Sequence, residues 1–250
     1  MTFRVISRLD IKPPNLVKGI HLEGLRKVGD PALFATKYYE DGIDEISYQD
    51  VVASLYNRNS IKELVSATAE RVFIPISVGG GIRSLEDATG LIRSGADKVT
   101  INTAAIKRPE FLQELCAVLG SQAVILGVEA KKSTNGEYLV MTDCGREHTG
   151  KSVLDWIQEA THYGIGEVLL TSIDMEGTQK GFDLDLLTKV REITDLPIIA
   201  HGGCGKVSDV SDVAHAGGDG YAIATALHYE KFTLREIKNH LCNVGIEVRA

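Results

Sequence analysis

No run of this chain is apolar over anything near the ~20 residues that a membrane helix needs. The first residues also lack the basic-then-apolar order of a signal peptide. Both absences point to a cytoplasmic protein with no membrane partner. Cysteine is scarce: Cys116, Cys144, Cys204 and Cys242 are scattered without metal-ligand spacing. That argues against a disulfide framework or a zinc site and for free thiols in a reducing compartment. No metal and no cofactor are indicated. Basic charge does not dominate either. Lys and Arg number 27 against 34 Asp and Glu, and the net charge of -7 disfavours nucleic acid as the main partner. No linker or low-complexity stretch divides the 250 residues, so one domain spanning 1–250 is expected.

The chain does have glycine, arranged twice in the same way. Val78-Gly79-Gly80-Gly81-Ile82-Arg83-Ser84 finds an altered counterpart in Ala200-His201-Gly202-Gly203-Cys204-Gly205. Each turn follows an apolar run that begins at a proline, Pro75 or Pro197. Superposing Gly80 on Gly202 also superposes Asp97 on Asp219 and Thr103 on Thr225. One spacing that fits three landmarks reads as an internal duplication.

Between the turns the pattern alternates. Short apolar runs at 5–9, 46–48, 74–78, 98–101, 124–128, 168–170, 197–200 and 221–224 read as strands. Helices are expected at about 31–41, 60–71, after Ser84, from Pro109, and at about 151–163, 184–192, 207–216 and 234–242. Asp30-Pro31 has the form of an N-cap followed by proline at the first helical position. Residues 11–29, with Pro13, Pro14, Lys18 and Gly19, read as a loop. A hairpin-like insert turns at Asn135-Gly136 and returns through 138–142. Eight strands alternating with eight helices in 250 residues give an α/β fold, a (β/α)8 TIM barrel of two pseudo-repeated half-barrels. A doubly wound open sheet is the alternative, and the half-chain repeat favours closure.

Barrels of this kind work at the C-terminal ends of their strands. Here those ends are polar: Asp10, Asp50, Asn102, Glu129, Thr171 and His201. Strands one and five lie opposite each other, so Asp10 and Glu129 are expected to face across the mouth as an acid/base pair. A glycine turn that runs into a helix presents backbone N–H groups at a positive helix end and suits phosphate. Two such turns imply a long ligand with a phosphate at each end. At the opposite rim Arg4, Glu45, Lys98 and Glu167 start strands one, two, four and six. Strand parity turns Arg4, Lys98 and Glu167 inward with Asp10, Asn102 and Thr171, whereas Glu45 does not share parity with Asp50. The group reads either as a buried salt-bridge layer for stability or as a plug with a function.

With these residues the chain resembles the cyclase subunit of imidazole glycerol phosphate synthase, of histidine biosynthesis. The resemblance rests on Leu9-Asp10-Ile11-Lys12, Val17-Lys18-Gly19, Gly29-Asp30-Pro31, IPISVGGGIRS from Ile74, GADKVTIN from Gly95, Gly120-Ser121-Gln122, LLTSIDMEGT from Leu169 and the Gly202-Gly203 turn. It implies an ammonia-dependent cyclase/lyase acting on a bis-phosphorylated formimino aminoimidazole carboxamide ribonucleotide. It also implies catalytic roles for Asp10 and Glu129, and substrate contacts from Lys18, Asp50, Thr171 and Glu176. The first phosphate site would comprise Gly81, Asn102 and Thr103; the second, Gly177, Gly203, Ala224 and Thr225. A glutaminase subunit at the N-terminal face of the barrel would send ammonia past a gate of Arg4, Glu45, Lys98 and Glu167.

Four positions depart from the family pattern: Arg8 for a cysteine, Glu129 and Glu176 for aspartates, and His201 for a serine. Arg8 is expected to reach Asp10 or Glu129, lower that carboxylate's pKa and so weaken Glu129 as an acid, or to bind an anionic substrate group. Gly127, facing it, would leave room. His201 and His228 read as ligand contacts or as wet surface histidines. These departures also admit an alternative, a cyclase-like paralogue that passes ammonia to a sugar-amidinating synthetase of surface-polysaccharide biosynthesis.

Overall fold

The structure is a computed structural model that describes residues 2–53 and 61–249. Its strands are β1 (Arg4–Lys12), β2 (Asn15–Ile20), β3 (Glu23–Gly29), β4 (Glu45–Asp50), β5 (Ile76–Gly79), β6 (Lys98–Ile101), β7 (Val124–Lys132), β8 (Tyr138–Thr142), β9 (Glu147–Ser152), β10 (Glu167–Ser172), β11 (Ile198–His201) and β12 (Gly220–Ile223). The helices that position the site are α1 (Pro31–Glu40), α2 (Lys62–Ala69), α3 (Leu85–Arg93), α4 (Thr103–Lys107), α5 (Glu110–Leu119), α6 (Val153–Thr161), α7 (Leu184–Arg191), α8 (Ser208–His215), α9 (Thr225–His228) and α10 (Leu234–Asn243). Ser60, where the second helix was expected to begin, lies outside the described residues.

Parallel pairing runs β1-β4-β5-β6-β7-β10-β11-β12 and returns from β12 to β1, which closes the expected barrel. Closure leaves the barrel no free edge. Strands β4 and β10 are buried along their whole length, as parallel strands under a helical layer must be. Local signals set the helices. Asp30 accepts from the Ala32 and Leu33 amides at 2.8 and 3.2 Å, and Ser84 accepts from Asp87 N at 3.1 Å.

The duplication is physical. Asp97 accepts from Ile76 N at 2.8 Å, and Asp219 accepts from Ile198 N at 2.9 Å. Asn102 (φ -123, ψ -88) and Ala224 (φ -124, ψ -83) share the same uncommon backbone just before α4 and α9. These short helices, read from sequence as small-residue tails, place Thr103 and Thr225 at equivalent points.

Inside the barrel the side chains form layers. The lowest holds Arg4, Glu45, Lys98 and Glu167. Ile6, Ile125, Leu169, Ile199 and Ala222 form an apolar layer above it. Arg8, Glu129, Thr171 and His201 lie above that. Glu45 does point inward, contrary to the parity argument, because Asp50 is the residue out of step. The Asp50 carboxylate turns back to accept from Val52 N at 3.0 Å, an Asx turn that ends the strand.

Two excursions differ from expectation. Residues 15–29 form the hairpin β2–β3, not a loop, with β2 paired to β1. Its two-residue turn is His21-Leu22, with φ of 54° and 63°. Such turns normally carry Asn-Gly, so the sequence held no hairpin signal. Contacts to the β10 loop hold the turn: His21 N donates to Glu176 O at 3.0 Å and Leu22 N to Glu176 Oε2 at 2.8 Å. The insert after β7 likewise has a third strand, β9, that was not expected. Among the described residues no helix is long and apolar enough to cross a membrane.

Candidate active site

Strand β1 brings Arg8 and Asp10 to the mouth, and register sets Glu129, Thr171 and His201 side by side across β7, β10 and β11. Hairpin β2–β3 swings Lys18 over the barrel. The result is one buried row of charges. Arg8 Nε donates to Asp10 Oδ1 at 2.8 Å, and Lys18 Nζ donates to Asp10 Oδ2 at 3.1 Å. Lys18 also pairs with Glu176. Arg8 chooses Asp10 rather than Glu129. Asp10 is 1% exposed and borders neither of the two mouth cavities; Arg8 borders the larger one in its place.

The two carboxylates are thereby pushed apart. Burial favours the neutral form of Asp10, but Arg8 and Lys18 outweigh it and hold the carboxyl far below the usual range. For Glu129 burial wins over Arg8 and over the Gly145 amide, which donates to Oε2 at 2.9 Å, and the pKa rises to about 7. The expected weakening of Glu129 as an acid is reversed. Arg8 spends its charge on Asp10, and Glu129 keeps a proton near neutrality. Gly127 borders the same cavity, yet a side chain there would first meet Thr100 Cγ2 at 3.0 Å, not Arg8.

The larger cavity, about 200 Å³, is bordered by Arg8, Asp50, Gly81, Asn102, Thr103, Glu129 and Thr171. The smaller, about 10 Å³, is bordered by Lys18, Glu176, Gly177, His201, Gly203, Ala224 and Thr225. Each glycine turn therefore opens on a cavity, one on either side of the charge row. Two buried oxygens beside them, Asn102 Oδ1 and Thr225 Oγ1, have no hydrogen-bond partner among the described residues. The turns need glycine. Gly80 (φ 97°) and Gly203 (φ 84°) would place a side chain 2.2 Å from Asp50 O and 1.9 Å from Gly181 O. Gly203→Ala is expected to cost about 2 kcal/mol or more in a denaturant melt and to distort the smaller cavity.

His201 and His228 are both buried, so neither is a wet surface histidine. His228 Nδ1 lies 2.7 Å from Tyr38 Oη, and burial lowers the ring's pKa to about 4. Sequence reasoning missed Gln49, Lys107, Asp143 and Cys144, all on the larger cavity. Asp143 and Cys144 sit in left-handed conformations (φ 52° and 59°) at the β8–β9 tip, a geometry that aspartate adopts more readily than most residues but that cysteine does not announce.

At the opposite end Arg4 pairs with Glu45 at 3.2 Å and Glu167 at 2.8 Å, and Lys98 with the same two acids at 3.1 and 3.3 Å. The four charges close a ring across the barrel floor. Burial raises the pKa of Glu45 against the pull of Lys98.

Fold and site together define a duplicated (β/α)8-barrel enzyme whose polar groups gather at the C-terminal mouth. The family described as histidine biosynthesis protein matches residues 4–233. Relatives named imidazole glycerol phosphate synthase subunit HisF include that of Legionella pneumophila, 57% identical over 206 residues, covering 82% of this chain and 97% of the relative. Those of Beutenbergia cavernae (44% over 254 residues; 100% and 99% covered) and Thermococcus onnurineus (42% over 247 residues; 98% and 97% covered) match along nearly the whole chain. The chain belongs to this histidine biosynthesis family, among the HisF subunits of imidazole glycerol phosphate synthase.

Proposed function

We propose that the chain, as one barrel domain, is the ammonia-dependent cyclase/lyase of this synthase. It converts the bis-phosphorylated formimino aminoimidazole carboxamide ribonucleotide to imidazole glycerol phosphate and aminoimidazole carboxamide ribonucleotide. The observation that carries this reading is the pair of sequence-related glycine turns, each opening on its own cavity, with one carboxylate paired to two cations and another buried beside a backbone amide between them. Gly81, Asn102 and Thr103 seat one phosphate; Gly177, Gly203, Ala224 and Thr225 seat the other. Asp50 and Thr171 border the span between. Glu129, half protonated near neutrality, gives and takes the proton as ammonia adds and the ring closes. Asp10 stays ionised and fixes Arg8 and Lys18, while Glu176 completes the Lys18 pair. The relatives' names give no support to the surface-sugar route.

Ammonia comes from a glutaminase subunit docked at the N-terminal face and passes the ring of Arg4, Glu45, Lys98 and Glu167. The apolar layer above that ring suits a small neutral molecule. Purified chain supplied with an ammonium salt and the ribonucleotide is expected to release both products; absence of turnover overturns the proposal. Lys98→Met is expected to leave ammonium-driven turnover within about twofold and to lower glutamine-driven turnover about tenfold in the complex. Equal loss in both assays contradicts the gate role.

A further inference from the structure

Besides Asp10, Arg8 has two partners. Its Nη1 lies 3.1 Å from His201 Nδ1 and 3.3 Å from Thr171 Oγ1. A guanidinium offers only donors and does not lose its proton in proteins. His201 Nδ1, facing a donor, must be a lone-pair acceptor. The Thr171 hydroxyl, 3.2 Å from the same nitrogen, is compatible with that state because it can rotate to donate or accept. Burial, aided by Arg8 and Lys18 and opposed by Asp10, holds the ring's pKa well below the ordinary histidine value, so the imidazole is neutral. A neutral ring with an acceptor at Nδ1 carries its one proton on Nε2.

That N–H has no partner among the described residues, and the ring borders the smaller cavity beside Gly177, Gly203 and Thr225. Thr225 Oγ1, at the same cavity, is a buried hydroxyl without a hydrogen-bond partner among the described residues. The cavity thus presents donors toward a group that is rich in acceptors. We propose that His201 is a ligand-contacting residue whose Nε2–H donates to an anionic oxygen of a phosphate monoester in the smaller cavity, and that Arg8 is the positioning residue that fixes this tautomer. The inference rests on reading that cavity as a phosphate seat. It links the two halves of the mouth: Asp10 orients Arg8, Arg8 orients His201, and His201 meets the ligand. It also gives one reason for the two departures to occur together, since Arg8 supplies the donor that His201 needs.

Long-range proton–nitrogen NMR of the full chain, with and without inorganic phosphate, tests this. The expected result is a His201 ring in the Nε2–H form that does not titrate between about pH 6 and 8. Phosphate should shift its Nε2–H resonance saturably, together with the Gly203 amide. Arg8→Met should release the ring to mixed tautomers. Should that variant fold poorly, a second pair carries the test. His201→Leu is expected to weaken phosphate binding by roughly tenfold, and His201→Gln, which keeps an N–H donor, by no more than about threefold. An Nδ1–H tautomer overturns the proposal, as does an Nε2–H that stays still while the Gly203 amide moves. Phosphate that shifts neither the Gly81 nor the Gly203 amide overturns the phosphate-seat reading itself. Turnover with ammonium is measured separately and does not depend on these spectra.

Discussion

Glu129→Gln is expected to lower ammonium-driven turnover by about 10²–10⁴-fold and, at the same time, to stabilise the protein above neutral pH. The first effect follows from removing the proton-carrying group of the mouth. The second follows from linkage. The Glu129 carboxyl is raised from 4.5 to about 7 in the folded protein, chiefly by burial. Between those values the folded chain holds a proton that the unfolded chain has released. Stability therefore falls as pH rises through this window, and the loss is complete above it. A shift of that size corresponds to about 3 kcal/mol, but the carboxylate borders an open cavity, so about 1–2 kcal/mol is the realistic penalty. Denaturant melts at acid and alkaline pH check this: the variant should match the parent at about pH 4 and exceed it at about pH 8. A lost rate with no alkaline gain in stability would mean that Glu129 is not held protonated by burial.

Asp10→Asn is expected to abolish turnover and to destabilise the fold by about 3–5 kcal/mol, roughly a 10 °C fall in melting temperature. Asp10 is the shared counter-ion of Arg8 and Lys18, both buried. Without it the remaining side-chain hydrogen-bond partners of Arg8 among the described residues are Thr171 and His201, which are neutral, and the guanidinium cannot shed its own proton. The sign with pH is opposite to that of Glu129. The folded Asp10 carboxyl lies below its unfolded value, so its contribution is present above the ordinary carboxylate range and is lost as pH falls below it. A double-mutant cycle with Arg8→Met measures the pairing. The double variant should be more stable than Asp10→Asn alone, because no unpaired arginine remains. Additive losses would show that the two residues do not act as a pair. A further variant checks the departures jointly. If Arg8→Cys with Glu129→Asp leaves activity on the ribonucleotide unchanged, the site has not been retuned.

The barrel was legible in the sequence for a physical reason. Parallel strands buried on both faces read as short apolar runs, and the duplicated Pro-run, glycine-turn and Gly-Asp landmarks mark equivalent points in two halves. The Asp97 and Asp219 contacts show that the repeated letters repeat a hydrogen bond. The floor ring was nearly legible from strand parity. It failed only at Glu45, because the strand-end Asp50 had turned out into an Asx turn. The hairpin over the mouth was not legible, since its turn uses His21 and Leu22 in left-handed conformations held by distant Glu176. The partner of Arg8 was not legible either. Parity points its side chain inward but cannot choose between Asp10 and Glu129. The structure shows Asp10 taken by two cations and Glu129 held by one backbone amide. That choice inverts the expected acidity of Glu129.

The proposed chemistry turns on one carboxylate held ionised beside another that titrates near neutrality. Carbon-13 NMR titration of the side-chain carboxyls, assigned through Glu129→Gln and Asp10→Asn, measures this directly. A Glu129 midpoint near 7 with Asp10 flat over the same range is the predicted result. A Glu129 midpoint in the ordinary range near 4.3, or Asp10 titrating alongside it, would contradict the account.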